Sequence, residues 1–210
     1  MRVATSLFEL CKGHQLGVHK AGFEIGVHSM CHAIELCEQR PGHAILLVDM
    51  KNAFNRADRA LMLKLIETHI PETANLAYFI YECEPTLYTD RADFQLVSSE
   101  GGQQGCSLVN TLFALLMLYC MTRIKRKFPK LWMELAFWDD EGFGGPIAVL
   151  GALLAFLDEL TPTTGCVVGH KKTHLLTGSA ARAQLAREMV VEGAPLFPPE
   201  VNIHADYDGE

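Results

Sequence analysis

The sequence predicts an α+β domain in which an antiparallel sheet carries acidic residues and helices pack on one face of the sheet. Two short apolar runs, residues 44–48 and 135–138, each lead directly into an aspartate. Such runs are typical of buried strands. Between them, the apolar stretch 108–121 is long enough to favour a buried helix. Strands that end in acids, combined with helices of this length, indicate the α+β class.

Local signals define the elements before the long helix. Apolar spacing predicts a helix over residues 24–39, and the next apolar run is a strand over 44–49. Asp58 is expected to cap a helix that reaches about His69. Pro71 then opens another helix, because proline is favoured in the first helical turn.

A hairpin is predicted before the long helix, with strands at residues 86–89 and 94–98. It leads into a Gly-Gly-Gln-Gln-Gly loop, which by itself also fits a plain hairpin loop. Ser107 is expected to cap the long helix that follows.

The second half of the chain alternates short strands and helices. A strand that ends at Trp138 is expected to pair with a strand over 142–144. A helix over 147–160 is expected to end at Thr161-Pro162, because proline interrupts helices. Further segments are predicted as strands at 166–168 and 173–176, a helix at 179–191 and a loop at 195–199.

The acids at the strand ends indicate a cation site. If the two strands lie side by side, Asp49, Asp139 and Asp140 converge, and like charges a few ångströms apart repel one another unless a cation neutralises them. Magnesium prefers oxygen ligands, and a pair of ions can stabilise the attacking and leaving oxygens of a phosphoryl transfer. The alternative is structural: an aspartate after a strand is often a cap or turn residue, and Asp-Asp-Glu-Gly also fits a solvated hairpin turn.

Three motifs in a fixed order carry a family resemblance: Asp49 to Asn55 with Arg59 downstream, Gln104-Gly105, and Phe137-Trp138-Asp139-Asp140. Together they resemble the reverse transcriptase domain of non-LTR (LINE-type) retrotransposons, and the likeness covers most of the chain. Upstream, residues 14–18 and 22–25 are similar to the segment that joins the fingers to the palm in that family. Downstream, Gly165 followed by Lys172 is similar to its lysine-bearing loop.

The resemblance implies an RNA-directed DNA polymerase, a nucleotidyltransferase that joins a dNTP to a primer 3′-hydroxyl on an RNA or DNA template. Two Mg²⁺ ions, or Mn²⁺ as a substitute, would be held by Asp49, Asp139, Asp140 and the backbone carbonyl of Met50. Lys172 would give a proton to the leaving pyrophosphate, or it is simply one of two adjacent exposed lysines. The residues expected to contact substrate are Asn52, Ala53, Phe54, Gln104 and Gly105.

Phe54 has the most specific implied role. In the family an aromatic ring at this position lies under the incoming sugar and would clash with a 2′-hydroxyl, the group that distinguishes RNA from DNA. Phe54 would therefore favour deoxynucleotides. The alternative is an ordinary core aromatic residue.

The resemblance also implies a domain division. The chain would be one reverse-transcriptase-like domain: residues 1–43 form part of the fingers and the connection, 44–178 form the palm, and 179–210 end before the primer grip and the thumb. The missing fingers and thumb segments would belong to a longer parent protein.

Three departures from the family pattern favour a second hypothesis. Trp138 stands where the family usually has a small residue, and its ring is expected to crowd the primer end or a neighbouring strand. Cys106-Ser107 replaces the usual Asp-Pro, and Gly169 replaces Asn, which is expected to loosen the loop that carries Lys172. The alternative function is therefore a catalytically inactive retroelement remnant or a non-enzymatic nucleic-acid-binding module.

Composition fits a globular domain but gives little support for strong nucleic-acid binding. The 210 residues are 49% hydrophobic, and the formal net charge is −7, whereas nucleic-acid affinity normally depends on basic side chains. A basic cluster that either contacts phosphate or ends a helix in solvent comprises Arg123, Lys125, Arg126, Lys127 and Lys130.

Cysteine usage and the N-terminus indicate an intracellular protein. Seven cysteines without a Cys-x-x-Cys pair argue against a disulfide scaffold and a standard zinc module, and they fit a reducing compartment. His28, Cys31 and His32 share a helix face, but ordinary helix packing is favoured over a metal site because a fourth ligand is lacking. The N-terminus has no signal-peptide pattern, and the apolar stretch 108–121 is too short for a membrane span.

Overall fold

The computed structural model describes residues 2–84, 86–88 and 95–207. Eight helices lie within these residues, and two single 3-10 turns cover Leu16–Val18 and His170–Lys172. The helices are α1 (Arg2–Cys11), α2 (Gly22–Glu38), α3 (Ala53–Arg56), α4 (Arg59–His69), α5 (Pro71–Tyr81), α6 (Ser107–Lys127), α7 (Ile147–Thr164) and α8 (Ala180–Glu188).

The strands form one main sheet and two small hairpins. They are β1 (His43–Asp49), β2 (Thr86–Tyr88), β3 (Gln95–Val97), β4 (Met133–Phe137), β5 (Asp140–Pro146), β6 (His174–Leu176), β7 (Val190–Val191), β8 (Ala194–Pro195) and β9 (Asn202–His204). The main sheet has the order β4-β5-β1-β6-β9. Every pairing in it is antiparallel except the parallel pairing of β6 with β9. The fold is therefore mixed α+β with a mostly antiparallel sheet.

Several predicted elements are present, and the capping and proline residues that predicted them have the expected roles. The side chain of Asp58 accepts a hydrogen bond from the Leu61 amide at 2.6 Å and caps α4. Pro71 occupies the first turn of α5, where its missing amide costs no helical hydrogen bond. The predicted hairpin is present as β2 paired with β3; the residues predicted within it at 89 and 94 lie outside the described part of the chain.

Two helix ends differ from the prediction. Ser107 does not cap α6: Cys106 has the extended backbone of the N-cap, so the helix begins at Ser107 itself. Pro162 does not end α7, which continues to Thr164. The last turn survives because the Thr164 hydroxyl donates to the Leu160 carbonyl and the Gly165 amide donates to the Thr161 carbonyl. Gly165 then ends the helix with φ 71°.

Two further segments are shorter than predicted. Residues 166–168 form a single bridge, Met50 with Val168, instead of a strand, because the chain turns directly into the second 3-10 turn. The Ala/Arg-rich helix is capped by Ser179 as a side-chain acceptor but ends at Glu188. The β-branched pair Val190–Val191 leaves the helix to form a hairpin with β8.

Helices cover both faces of the sheet, so the prediction of helices on one face was wrong. Alternate residues of β1 separate into two apolar clusters: Ala44, Leu46 and Val48 belong to the main core, whereas Ile45 and Leu47 belong to a smaller one. The main core includes residues of α4, α6 and α7, and the smaller cluster includes residues of α2. Because successive strand residues point to opposite faces, α2 lies across the face that the prediction left open.

The N-terminal helix α1 was not anticipated from the sequence. Leu7 and Cys11 belong to the main core, and the Cys11 thiol lies 3.9 Å from the Ala114 carbonyl of α6. The segment before α2 is therefore packed against the same core as the rest of the domain.

Two helices are long and apolar enough to cross a membrane by length and composition, namely α6 and α7. The stretch predicted to be too short for a span is part of a 21-residue helix. Two-thirds of its most apolar window is buried inside the protein, as expected for a core helix. Because core helices pass the same test, their hydropathy is weak evidence for a membrane span.

An unexpected acid lies in the main core. Glu141 follows Asp140 in β5, and strand alternation turns its side chain to the same face as its register partner Val48. Its side chain is 3% exposed, and neither carboxyl oxygen has a hydrogen-bond partner among the described residues. Burial raises the pKa of Glu141 from 4.5 to about 8, so the carboxyl is protonated in the folded protein at neutral pH.

Replacing Glu141 with leucine is expected to stabilise the protein most at pH 8. In the unfolded chain the carboxyl has its ordinary pKa, so between about pH 4.5 and 8 only the folded state holds the proton. Stability therefore falls as the pH rises through this window, by at most ~1.4 kcal/mol per pH unit. Urea unfolding of wild type and Glu141→Leu at pH 5 and pH 8, with EDTA present, measures the difference.

Two control variants complete this test. Glu141→Gln keeps the shape without the titrating proton and is expected to lose the pH dependence, whereas the exposed Glu188→Gln is expected to keep it. An equal loss of stability between pH 5 and pH 8 in wild type and Glu141→Leu would contradict the prediction.

Candidate metal and nucleotide site

The acids of the first and third motifs meet at one end of the sheet. Asp49 is the last residue of β1 and Asp140 is the first residue of β5, and the two are direct partners in the antiparallel register. Directly opposed residues of an antiparallel pair project from the same face. They share the face of Ile45 and Leu47, opposite the main core, where their side chains remain partly accessible.

Asp139 lies in the two-residue turn between β4 and β5, not in a strand. Partial burial, and after it the negative charges of Asp139 and Asp49, raise the pKa of Asp140. Lys172 opposes this shift. The register thus places Asp140, and not Asp139, opposite Asp49. Both Asp49 and Asp139 are close enough to interact electrostatically with Asp140.

Lys172 also reaches the acids, from the second 3-10 turn. Its ammonium Nζ lies 3.6 Å from Asp49 Oδ1, with 75% of the lysine side chain exposed. An ion pair this exposed contributes little to stability. The structure therefore brings Lys172 into contact with the site without fixing it firmly there.

Gly169 fits tightly against Asp49. Its amide donates a 2.7 Å hydrogen bond to the Asp49 carbonyl, and a Cβ atom on Gly169 would lie 2.8 Å from Asp49 Oδ2. The Gly169 carbonyl in turn accepts from the Lys172 amide at 2.7 Å. The loop is thus fixed on both sides of Gly169, contrary to the expectation that glycine loosens it, and the missing side chain leaves room for the carboxylate.

The chain after Asp49 turns sharply. The bridge between Met50 and Val168 uses the Asp49 carbonyl and the Lys51 amide, so neither of its two hydrogen bonds uses the Met50 carbonyl. Asn52 then takes the left-handed conformation, with φ 49°, at the start of α3. Its side-chain oxygen Oδ1 accepts a 2.6 Å hydrogen bond from the side-chain Nδ2 of Asn55. The buried Ala53 begins the short helix that follows.

Phe54 is half-buried and lies between the core and the surface. Its ring stacks on Phe113 of α6, with the centroids 4.3 Å apart, and it packs against the main core. The core-aromatic interpretation therefore accounts for one side of the ring. The role of Phe54 in sugar selection stays a prediction.

The Gln-Gly loop is tied to the first motif through backbone hydrogen bonds. The Gly102 amide donates to the Phe54 carbonyl at 2.7 Å, and the Gly101 amide donates to the Ala57 carbonyl at 3.0 Å. Gln104 and Gly105 are exposed beyond this anchor, and Gly105 has φ 93°. A cavity of about 650 Å³ separates Gln104 from Asn55 and is lined by both.

Arg59 organises the same loop from inside the protein. Its side chain is 9% exposed, and it donates to the carbonyls of Gly101, Ser98 and Glu100 at 2.8–2.9 Å. It also contacts the Ser98 hydroxyl at 3.0 Å. The fork of guanidinium donors suits several carbonyls at once, so Arg59 of the first motif holds the loop of the second.

Two further cavities open beside the acids. One, of about 440 Å³, is an apolar groove between α2 and the sheet and reaches Asp49, Asp140 and Lys172. The other, of about 530 Å³, lies on the Lys172 side of Asp49. Its basic lining residues are Lys51, His170, Lys171 and Lys172.

Two other sequence hypotheses concern the Trp138 ring and three residues of α2. The Trp138 ring packs over Gly17, where an added Cβ would lie 2.6 Å from the ring, so the indole is accommodated beside the first 3-10 turn. His28, Cys31 and His32 are all exposed on α2. Over the ranges 2–84, 86–88 and 95–207, no group of three Asp, Glu, His or Cys side chains forms a preassembled metal cage.

The basic cluster lies at the C-terminal end of α6 and just beyond it. The Arg123 guanidinium lies over the Tyr119 ring at 3.4 Å, and Lys127 forms a 3.2 Å ion pair with Glu159. Lys125 and Arg126 are exposed in the last turn. This placement fits both interpretations of the cluster, namely phosphate contact and a solvated helix end.

Comparison with protein-family models gave no match, and comparison with curated proteins gave none. Solved structures do match: apo telomerase from Candida tropicalis aligns with a TM-score of 0.64 and 15% identity over 99% of this chain and 40% of that one. Telomerase from Candida albicans in complex with a TWJ fragment of telomeric RNA aligns with a TM-score of 0.57 and 13% identity, over 83% of this chain and 34% of that one.

These matches define the class of fold. Telomerase is a reverse-transcriptase-related enzyme, and at these identities the likeness shows the fold alone. The chain has a reverse-transcriptase-like fold and spans about two fifths, or less, of the telomerase chains it matches.

Replacing Arg59 with lysine is expected to destabilise the fold by about 2 kcal/mol or more, because one ammonium cannot satisfy the carbonyls that the guanidinium bonds. Chemical unfolding measures the loss. The matched control is Arg56→Lys, an exposed arginine three residues earlier, for which a change within about 0.5 kcal/mol is expected. Equal stabilities of the two variants would contradict the role given to Arg59.

Proposed function

We propose that the chain is the palm of a reverse-transcriptase-type polymerase from a retrotransposon of the non-LTR class. The reaction is template-directed transfer of a nucleotide from a dNTP to a primer 3′-hydroxyl. The observation that carries the proposal is the opposition of Asp49 and Asp140 across β1 and β5, with Asp139 and Lys172 beside them. Asp49 and Asp140 are 91 positions apart in sequence (140 − 49). Only the fold brings them together.

The donor set suits magnesium. Asp49 and Asp140 offer hard oxygen ligands. Partial burial and, after it, the negative charges of Asp139 and Asp49 raise the pKa of Asp140, and a bound cation would offset that repulsion. Mg²⁺ commonly binds one or two carboxylates and completes its coordination with water and substrate phosphates, so a complete protein cage is not required. Two ions would be held by Asp49, Asp140, Asp139 and the Met50 carbonyl, and they would supply charge stabilisation for the oxygens of phosphoryl transfer.

The remaining residues position the substrate. Lys172 lies next to Asp49, where it would neutralise phosphate charge and donate a proton to pyrophosphate. Phe54 bounds the sugar, and Asn52 and Ala53 begin the helix beside it. Gln104 and Gly105 would contact the nucleotide from the loop anchored by Arg59. Such a site accelerates phosphoryl transfer through positioning and electrostatics, without a covalent intermediate.

A nucleic-acid-binding module without polymerase activity is the second candidate. The exposed basic residues at the end of α6 favour it, because they would retain phosphate affinity if the acids held no metal. Two titrations distinguish the polymerase from the binding module. Salt-dependent binding of primer-template, together with no metal binding at Asp49 and Asp140, indicates the module.

Metal binding is expected to depend on both opposed acids. Isothermal titration with Mn²⁺ should show binding to the wild-type chain that Asp49→Asn and Asp140→Asn each weaken by about tenfold or more, since each removes a charged ligand. The exposed Glu159→Gln serves as a control and is expected to bind as the wild type does. Wild-type affinity in both aspartate variants would overturn the proposed site.

Sugar selection is expected to depend on Phe54. In primer extension with the longer parent protein, which would supply the fingers and thumb, Phe54→Ala should raise ribonucleotide incorporation relative to deoxynucleotide by about tenfold or more, which corresponds to about 1.4 kcal/mol of lost discrimination. Phe156→Ala, which removes a half-buried ring from α7, controls for general loss of packing. An unchanged ratio in Phe54→Ala would favour a polymerase that selects sugars by another residue.

A further inference from the structure

Gln15 is a polar side chain in the interior whose position the polymerase proposal does not explain. It is 0% exposed and directly precedes the first 3-10 turn, Leu16–Val18. Its side-chain oxygen accepts a 2.9 Å hydrogen bond from the Gly17 amide and so caps that turn. Burial of an amide is costly unless its polar atoms form hydrogen bonds. The bond to Gly17 alone would leave the NH₂ group of Gln15 without an acceptor.

The other hydrogen bonds of the Gln15 side chain are to Trp138, 123 residues further along the chain. Gln15 Oε1 also accepts from the Trp138 amide at 2.7 Å, and Gln15 Nε2 donates to the Trp138 carbonyl at 3.0 Å. One side-chain amide thus satisfies both backbone groups of Trp138. Only a primary amide offers a donor and an acceptor in this arrangement, and glutamine has the reach that the contact uses.

Trp138 occupies an unfavourable backbone conformation. It is the first residue of the two-residue turn between β4 and β5, and it has φ 57°, whereas Asp139 does not have a positive φ. Two-residue hairpins with a positive φ only at the first position usually have glycine there. A bulky residue in this region is strained and persists only when its surroundings hold it. The bonds from Gln15 are such a restraint.

The same N-terminal segment also holds the Trp138 ring. Gly17 lies against the indole so closely that a Cβ would come within 2.6 Å of it. Backbone and side chain of Trp138 are therefore both fixed by residues 15–17. The next two residues of the turn and strand are Asp139 and Asp140, so the conformation of this turn sets the direction of both carboxylates.

We propose that Gln15 is a positioning residue for the metal site: it holds the strained turn at Trp138 so that Asp139 and Asp140 lie beside Asp49 in a single arrangement. This inference rests on the proposed function. Its physical basis is that outer residues that orient metal ligands typically change metal affinity by about 10–100-fold when replaced.

The test compares metal affinity with stability. Gln15→Met keeps the length of the side chain but removes all three hydrogen bonds, and it is expected to weaken Mn²⁺ binding by about tenfold or more. Gln15→Asn keeps a primary amide but shortens the side chain by one methylene, which weakens its bonds to Trp138, so a smaller loss of affinity is expected. If Gln15→Met does not fold, Gln15→Asn alone carries the comparison with the wild type.

The matched control is Arg182→Met, which removes a similar restraint away from the acids. Arg182 donates to the carbonyls of Cys37 and Thr177 at 3.2 Å and ties α8 to the end of α2. Its loss is expected to lower the melting temperature without changing Mn²⁺ affinity. Wild-type affinity in the Gln15 variants, or an equal loss in Arg182→Met, would overturn the positioning role.

A second readout separates this inference from the proposed function. If the wild type binds no Mn²⁺ at Asp49 and Asp140, the proposed function fails, and the backbone NMR signals of Asp139 and Asp140 then decide on Gln15. Doubled or broadened signals in Gln15→Met would support the restraint of the turn. Single, unshifted signals would overturn it.

Discussion

The antiparallel pairing of β1 with β5 is the constraint on which the rest of the structure depends. Seven residue pairs join the two strands, from His43 with Pro146 to Asp49 with Asp140. A shift of one residue would move every side chain of β5 to the other face of the sheet. The core and the candidate site are therefore set by the same register, and neither can change without the other.

This register has a cost that is visible at Glu141. The pairing that turns Asp140 to the accessible face turns Glu141 into the main core, where its carboxyl oxygens find no hydrogen-bond partner within the described residues. The buried carboxyl remains protonated because its pKa is raised. The chain thus keeps an acid in the core immediately beside the acids of the candidate site.

Hydrogen bonds to backbone groups hold the segments of the candidate site together. Arg59 binds the carbonyls of the Gln-Gly loop, Gln15 binds both backbone groups of Trp138, and the Gly169 amide binds the Asp49 carbonyl. Each of these bonds joins segments far apart in sequence, and two of the three originate from buried side chains. Gly169 lines the cavity on the Lys172 side of Asp49. The turn at Trp138, held by Gln15, lies between Phe137 and Asp140, which both line the apolar groove.

The sequence by itself determined the strands that end in Asp49 and lead to Asp139, the long helix α6, the cap at Asp58 and the start of α5 at Pro71, because apolar periodicity and capping are local properties. The motifs also indicated which residues would meet. Only the tertiary structure decided that Asp140 is the partner of Asp49, that α2 covers the second face of the sheet, and that Glu141 is buried. It alone revealed the contact between Gln15 and Trp138. Register and long-range hydrogen bonds depend on how distant segments pack, and no local pattern encodes that.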